Sequence, residues 1–351
     1  MFTSLSRDSR LSVYVIFMTE NHDVSAHTKV LGLLLVDGFA LMSYASVIEP
    51  FRAANDLAGK ALYRWIHVSR TGEAVPASNG ASVMADARVG DPVLCDVMFV
   101  FAGGDPAAFD DRPTFGWLRK LAQGGAAMAG VSGGPFLLAR AGLLSGHRAT
   151  IHWEHEAAFR DAFPDLAVET SLFIVDRRRM TCAGGTAGLD LAIEMIEREH
   201  GSDLSRRVSE WFIRTDARGS ERPQRQSLRD RYGVTNDSVL RALAEMEAWI
   251  EEPRDRTMVA SAAGISLRQL ERLFIAHVGL SMTDIYLRIR LDQAAQLIGS
   301  TGMSITAVAL ACGFRSAAHF SRSFKARHGI TPSAARKRRP ARDASTGKGN
   351  G

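Results

Sequence analysis

The sequence predicts an α/β domain with a mainly parallel sheet, followed by an all-α domain carrying two helix-turn-helix units. Three observations predict it. Apolar runs alternate with helix-periodic stretches through the first two hundred or so residues, a short pattern occurs twice near the C-terminus, and charge is split between the two halves. The net charge is +5, yet from Ser205 onward 25 Lys and Arg face 14 Asp and Glu, while before it 18 face 24. A basic lobe joined to an acidic one suits a nucleic-acid reader attached to something that does not touch nucleic acid. A chain of 351 residues has room for two or three domains, each with its own core.

Residues 1–28 are polar apart from the short run Leu11–Met18 and are expected to be poorly ordered, with Met18 available as an alternative start. That run is too short, and lacks the small-residue site, for a signal peptide. Lys29–Val36 is continuously apolar and ends at Asp37-Gly38, which predicts a strand buried on both faces. Leu41–Leu57 has helical spacing. Tyr63–Ser69 and Asp96–Ala102 read as strands, Thr114–Gln123 as a helix and Ala126–Val131 as a strand. Ala167–Asp176 and Arg179–Cys182 read as an antiparallel pair, and Ala187–Glu199 and Ser202–Thr215 as helices.

In a sheet of this kind, ligands gather at the carboxyl ends of the strands. Four stretches are expected to meet there: Glu49–Asn55, Ala102–Asp105, Val131–Pro135 and Thr150–Glu154. Among them, Gly130-Val131-Ser132-Gly133-Gly134 has the G-x-S-x-G spacing of a nucleophile elbow between a strand and a helix. His152 and His155 follow about twenty residues on, and Glu49 is a possible acid, so an amidase or hydrolase is one reading. The order of partners counts against it, because a hydrolase places its acid between the serine and a distant histidine. Cys95, Cys182 and Cys312 are far apart and suggest neither a disulfide framework nor a structural metal, so no metal and no cofactor are expected. No apolar run approaches the roughly 20 residues that span a bilayer, which points to the cytoplasm.

Gly219–Asp230 is polar, basic and proline-containing, and marks a linker over 216–236. Asp237–Glu251 then opens the second domain as an amphipathic helix. The repeated pattern follows at Val259–Ser281 and Val308–Thr331. Val259, Gly264, Ile265, Leu270, Arg272, Phe274 and Gly279 find counterparts in Val308, Gly313, Phe314, Phe320, Arg322, Phe324 and Gly329, with one residue inserted in the second turn. Each copy is an apolar helix, a glycine turn, and a second helix opened by Ser266 or Ser316 as N-cap. Leu270 with Phe274, and Phe320 with Phe324, stand at i and i+4 and bury one face. The opposite face carries Arg268, Gln269, Glu271 and Arg272 in the first copy and Ala317, Ala318, Ser321, Arg322 and Lys325 in the second.

The phrase Gly313–Arg336 resembles the signature of AraC-type regulators, whose DNA-binding domain joins two helix-turn-helix units by a long helix. The resemblance places base-edge readers at Arg268, Glu271 and Arg272 and at Ala317, Ala318, Ser321 and Arg322, with Gln269, Ser316 and Lys325 on the same surface. Arg reads guanine bidentately whereas Ala offers only apolar contact, so the first unit is expected to supply most of the polar readout. Lys325, Arg327 and the run Arg336–Arg339 are expected to anchor phosphates.

The first domain resembles the ThiJ/PfpI group, which implies a flavodoxin-like doubly wound sheet of the class I glutamine-amidotransferase type. Active members place a cysteine at the elbow with a Glu from the first helix beside it. Here the residues are Ser132 and Glu49, and serine needs a dedicated base. Non-catalytic use of the fold is therefore expected. Nearly all of the chain after Thr28 resembles the GlxA-type branch of AraC regulators, through Asp37–Asn55, Gly130–His155 and Gly184–Ile196. That resemblance implies domains at 29–215 and 237–339 with a disordered tail at 340–351. It also implies a homodimer acting with RNA polymerase at double-stranded promoter DNA, more as activator than repressor, and without a membrane partner. The former catalytic pocket becomes a sensor for a small nitrogenous effector such as arginine, carnitine or glycine betaine. Glu49 is expected to offset the effector cation, Trp153 to stack over it, amides at Ser132 and Gly133 to hold its carboxylate, and Asn55 and His152 to hydrogen-bond it.

Overall fold

A computed structural model describes residues 28–216 and 218–337; the expected disordered ends otherwise lie outside the described residues. The chain divides into two compact units. The first takes the described residues up to Gly103, Asp111–Ile151 and Asp165–Glu221, and the second takes Gly104–Asp110, His152–Pro164 and the described residues from Arg222 onward.

In the first unit, β1 (Lys29–Leu35) is followed by α1 (Leu41–Ala58), β2 (Tyr63–Ser69), β3 (Ala87–Arg88), β4 (Val97–Ala102), α2 (Arg112–Gln123), β5 (Ala127–Ser132) and α3 (Gly134–Arg140). The helix α4 (Glu156–Ala162) belongs to the second unit. The first unit resumes with β6 (Phe173–Asp176), β7 (Arg179–Cys182), α5 (Ala187–His200) and α6 (Ser202–Trp211). The sheet order is β6-β7-β5-β4-β1-β2-β3, parallel throughout except for the edge strand β6.

Side chains alternate across a strand, so the uninterrupted apolar runs fill two cores rather than one. Leu31, Leu33, Leu35, Phe99 and Phe101 join Phe51 of α1 and Leu191 of α5 on one face, while Val30, Leu34, Met98 and Val100 are buried facing the other way. Each fully buried Leu or Phe contributes roughly 2–3 kcal/mol relative to exposure. The cysteines are free, and burial pushes the thiols of Cys182 and Cys312 up to about 12 and that of Cys95 up to about 11. They pack as small apolar residues.

The strand expected over Ala167–Asp176 is two pieces. Ala167–Val168 pairs in parallel with Arg148–Ala149, and Glu169 N–H donates to the Ala149 carbonyl at 2.8 Å. The chain then crosses to the main sheet, where only β6 pairs antiparallel with β7. The intervening Glu169-Thr170-Ser171 lacks the apolar alternation that a continuous strand needs.

The second unit continues with α7 (Leu228–Tyr232), α8 (Asp237–Ala248), α9 (Arg256–Ala262), α10 (Leu267–Val278), α11 (Met282–Ser300), α12 (Ile305–Ala311), α13 (Ala317–His328) and α14 (Pro332–Lys337). The expected linker thus contains a helical turn. Ser227 caps α7 by accepting from Asp230 N–H at 3.2 Å, and Leu228 and Tyr232 pack on the core below. Two cores stand side by side. Val239, Leu243, Val259, Leu270, Phe274, Ile285 and Ile289 belong to one, and Leu291, Ala294, Ile298, Val308, Phe320 and Phe324 to the other. At about 100° per residue, Leu291 points some 200° round from Ile289, so α11 faces both cores with opposite sides.

Candidate functional site

The two copies of the repeated pattern fold alike. Ser266 opens α10 with a full capping box, accepting from Gln269 N–H while Gln269 Oε1 accepts from Ser266 N–H at 3.1 Å. Ser316 opens α13 by accepting from His319 N–H at 3.4 Å. Leu270 and Phe274 are buried in one helix, Phe320 and Phe324 in the other, and the ten residues after Leu270 repeat the exposure sequence of the ten after Phe320. Arg268, Gln269 and Arg272 on α10, and Ala317, Ala318, Arg322 and Lys325 on α13, are exposed, as is Ser316. Ser321 is half-buried. Glu271 is half-buried too, and its carboxylate accepts from Arg256 at 2.9 Å, which ties the reading helix to α9.

The duplication reaches further back than the sequence pattern suggested. Arg241 on α8 donates to the Ala263 carbonyl at 2.9 Å. Arg290 on α11, forty-nine positions later, donates to the carbonyls of Cys312 at 2.8 Å and Gly313 at 2.7 Å and lies 4.2 Å over the Phe314 ring. Ala263 and Cys312 are themselves forty-nine apart. Each unit is therefore three helices, with an arginine from the first satisfying the carbonyls left free where the second ends. The matching arginine spacing was the available signal.

Among the expected phosphate anchors, Lys325 is exposed, whereas Arg327 forms a two-pronged pair with Asp292 of α11 at 2.6 Å per arm. Arg336 donates inward to the Met303 carbonyl, and Arg338 and Arg339 lie outside the described residues. Lys325→Ala is expected to lower the slope of log affinity against log salt by about one, and Arg327→Ala to leave it unchanged. Titrations of duplex binding at several salt concentrations check both.

In the first unit the carboxyl ends of the central strands lie level, with Leu35 beside Phe101, Ala102 beside Ser132 and Cys182 beside Val131. Ser132 has the positive φ of an elbow, 60°, and is 7 % exposed. The turn is tight because a Cβ on Gly134 would stand 1.9 Å from the Val100 carbonyl oxygen, and one on Gly130 2.6 Å from Pro135 N. A Cβ on Gly184 would meet Ser132 Cβ and Ser43 Oγ, each at 2.7 Å. Gly133 N–H already donates to the Ala102 carbonyl at 2.9 Å.

Glu49 stands on α1 with its side chain 43 % exposed, paired to Arg52 at 2.8 Å. Asn55 is committed to the scaffold. Its amide donates to the Tyr63 carbonyl at 2.8 Å, and its oxygen accepts from Leu62 and Tyr63 N–H, which fixes the entry to β2. His152 and Trp153 belong to the second unit. Burial pushes both His152 and His155 down, the latter to about 4. Trp153 N–H donates to Gln224 Oε1 at 2.8 Å, and the Arg225 guanidinium lies 4.8 Å over the Trp153 ring.

A polar cavity of about 350 Å³ also opens in the first unit, away from the four stretches expected to form a pocket. It lies between β6, α5, Arg214 and residues 218–221. Asp190, with its side chain 1 % exposed, forms its floor between Arg214 and Arg218. Its size is that of a small-molecule site and its walls carry both signs of charge.

Paired reading helices on one unit and a serine elbow on the other belong to a recognisable class, the DNA-binding, ligand-responsive transcriptional regulators. The helix-turn-helix domain family matches residues 259–338, and the DJ-1/PfpI family matches residues 28–198. The HTH-type transcriptional regulator GlxA of Rhizobium meliloti is 42% identical over 315 residues, covering 90% of this chain and 97% of its own length. CdhR of Pseudomonas aeruginosa is 41% identical over 300 residues, 86% of this chain and 89% of its own, and GbdR of the same organism 40% over 310, 88% and 84%. The chain belongs to this family of GlxA-type HTH regulators, in which a ThiJ/PfpI-like domain precedes an AraC-type DNA-binding domain. These relatives are transcriptional regulators, as this chain is. Among the described residues no helix is long and apolar enough to cross a membrane.

Proposed function

We propose that this chain is a cytoplasmic transcriptional activator that binds paired promoter half-sites as a homodimer, contacts RNA polymerase, and is controlled by a small nitrogenous metabolite. The observation that carries the proposal is the pair of equivalent helices with matching exposed faces. Arg268 and Arg272 read guanine edges and supply most of the discrimination, with Gln269 and Glu271 beside them. Ala317, Ala318, Ser321 and Arg322 make the apolar and lesser polar contacts of the second unit, and Ser316 and Lys325 face the backbone. The effector is an amino acid or quaternary amine of the kind represented by arginine, carnitine or glycine betaine. Glu49 offsets its cation and the elbow at Ser132 receives its carboxylate, whereas Asn55, held by residues 62 and 63, takes no part. The acid- and arginine-lined cavity at Asp190 supports a second location for the same ligand.

Thermal shift of the full chain against those three compounds tests the effector, with a rise that saturates as the expected result. A rise lost in Glu49→Gln favours the elbow, and one lost in Arg218→Ala favours the cavity. No rise with any of them removes the nitrogenous effector. Ser132→Ala separates regulator from hydrolase: the small hydroxyl is expected to be dispensable for promoter activation, and ester or amide hydrolysis that disappears with the substitution would restore the catalytic reading.

A further inference from the structure

The turn His152–His155 brings three metal-ligating side chains together within four residues. One ring nitrogen of His152, one of His155 and a carboxylate oxygen of Glu154 all lie within 4.8 Å of one another, and His152 Nδ1 stands 3.9 Å from Glu154 Oε2. We propose that this turn is a divalent-metal site for zinc or a cation of similar borderline character, with His152, Glu154 and His155 as its protein ligands.

Donor chemistry sets the class of ion. Two imidazoles and one carboxylate are the set that zinc takes with three protein ligands, leaving a fourth position for water or a small ligand. Calcium and magnesium prefer oxygen donors throughout and are disfavoured here. Donors about 2.1 Å from a tetrahedral zinc stand about 3.4 Å apart, so binding requires the three to draw in by roughly 1 Å. His152 and Glu154, with side chains 28% and 30% exposed, both stand at the surface of the turn and would draw in toward His155.

His155 is 7% exposed at the start of α4, and its N–H donates to the His152 carbonyl at 2.8 Å, which closes the turn. Glu154 N–H donates to His152 Nδ1 at 3.3 Å, which makes that nitrogen the unprotonated one, and an ion would displace this contact. Between the ligands, Trp153 is fixed by Gln224 and by the Arg225 guanidinium. The backbone that presents the donors is thereby ordered before the ion arrives, which reduces the entropy lost on binding.

Untagged full-length protein, stripped with chelator, is titrated with zinc in competition with a chromophoric chelator, and separately with cobalt to read the visible spectrum. One equivalent of zinc per chain and the intense bands of four-coordinate cobalt are expected. Glu154→Gln and His152→Ala should each weaken binding at least about tenfold and change the cobalt spectrum, whereas His277→Ala, an exposed histidine on α10, should not. Glu154→Gln keeps the size of the side chain, so a retained circular dichroism spectrum ties its effect to the ligand. Less than stoichiometric zinc, or affinity unchanged in both ligand variants, would overturn the site.

Discussion

Arg272→Glu is expected to abolish recognition of the promoter while the chain remains folded. Arg272 is exposed on α10, between the buried Leu270 and Phe274 that fix the helix to its core, so the substitution removes no packing. A bidentate arginine–guanine contact is worth about 1–3 kcal/mol, and a carboxylate in its place adds repulsion from the phosphates. The combined loss should reach about a hundredfold or more in affinity. Arg272→Ala should fall between wild type and the charge reversal, and Arg322→Glu should cost less because two of the four base-facing residues of α13 are alanine. Mobility shift with the full chain and its upstream duplex, at fixed salt, reads all three. Binding by Arg272→Glu within about threefold of wild type would remove α10 as the principal reader.

Gly313→Ala should be the most damaging single methyl group in the DNA-binding region. The residue has φ 71°, and an added Cβ would stand 2.5 Å from Pro253 Cγ and 2.6 Å from the Ile250 carbonyl oxygen. Gly279 provides the comparison: its φ is 74°, and nothing lies within 4 Å of the same added atom. Alanine at Gly279 bears only the cost of left-handed backbone, about 1–2 kcal/mol. Alanine at Gly313 must also displace a ring and a main-chain carbonyl, which brings the total to about 3 kcal/mol or more. Urea unfolding of the two variants measures the difference, and equal midpoints would show that the close approach of residues 250–253 to this turn is not rigid.

The parts of this architecture that could be read from the sequence share a physical cause. Strands buried on both faces are apolar without interruption, so Lys29–Val36, Asp96–Ala102 and Ala126–Val131 match the observed strands to within a residue, and Tyr63–Ser69 matches too although Arg64 is exposed. The reading helices were legible because their caps and i, i+4 aromatic pairs are local. Contacts between distant residues were not. Asn55 has the composition of a polar pocket residue, and nothing near it in sequence says that its amide is committed to residues 62 and 63. Arg327 looks like a phosphate anchor until Asp292 is found opposite it. The helix Glu156–Ala162 is two turns long, too short for periodicity to declare itself, and it begins at the turn that gathers His152, Glu154 and His155.

The helix α11 sends Ile285 and Ile289 into one core and Leu291, Ala294 and Ile298 into the other, so it acts as a ruler with a fixed phase. A single residue inserted at its midpoint would swing the second three-helix unit through about 100° and aim α13 away from the groove that α10 has chosen. Promoters are held to the same gauge: two subsites moved apart by half a turn of duplex, about five base pairs, would be read one at a time, however perfect each was alone.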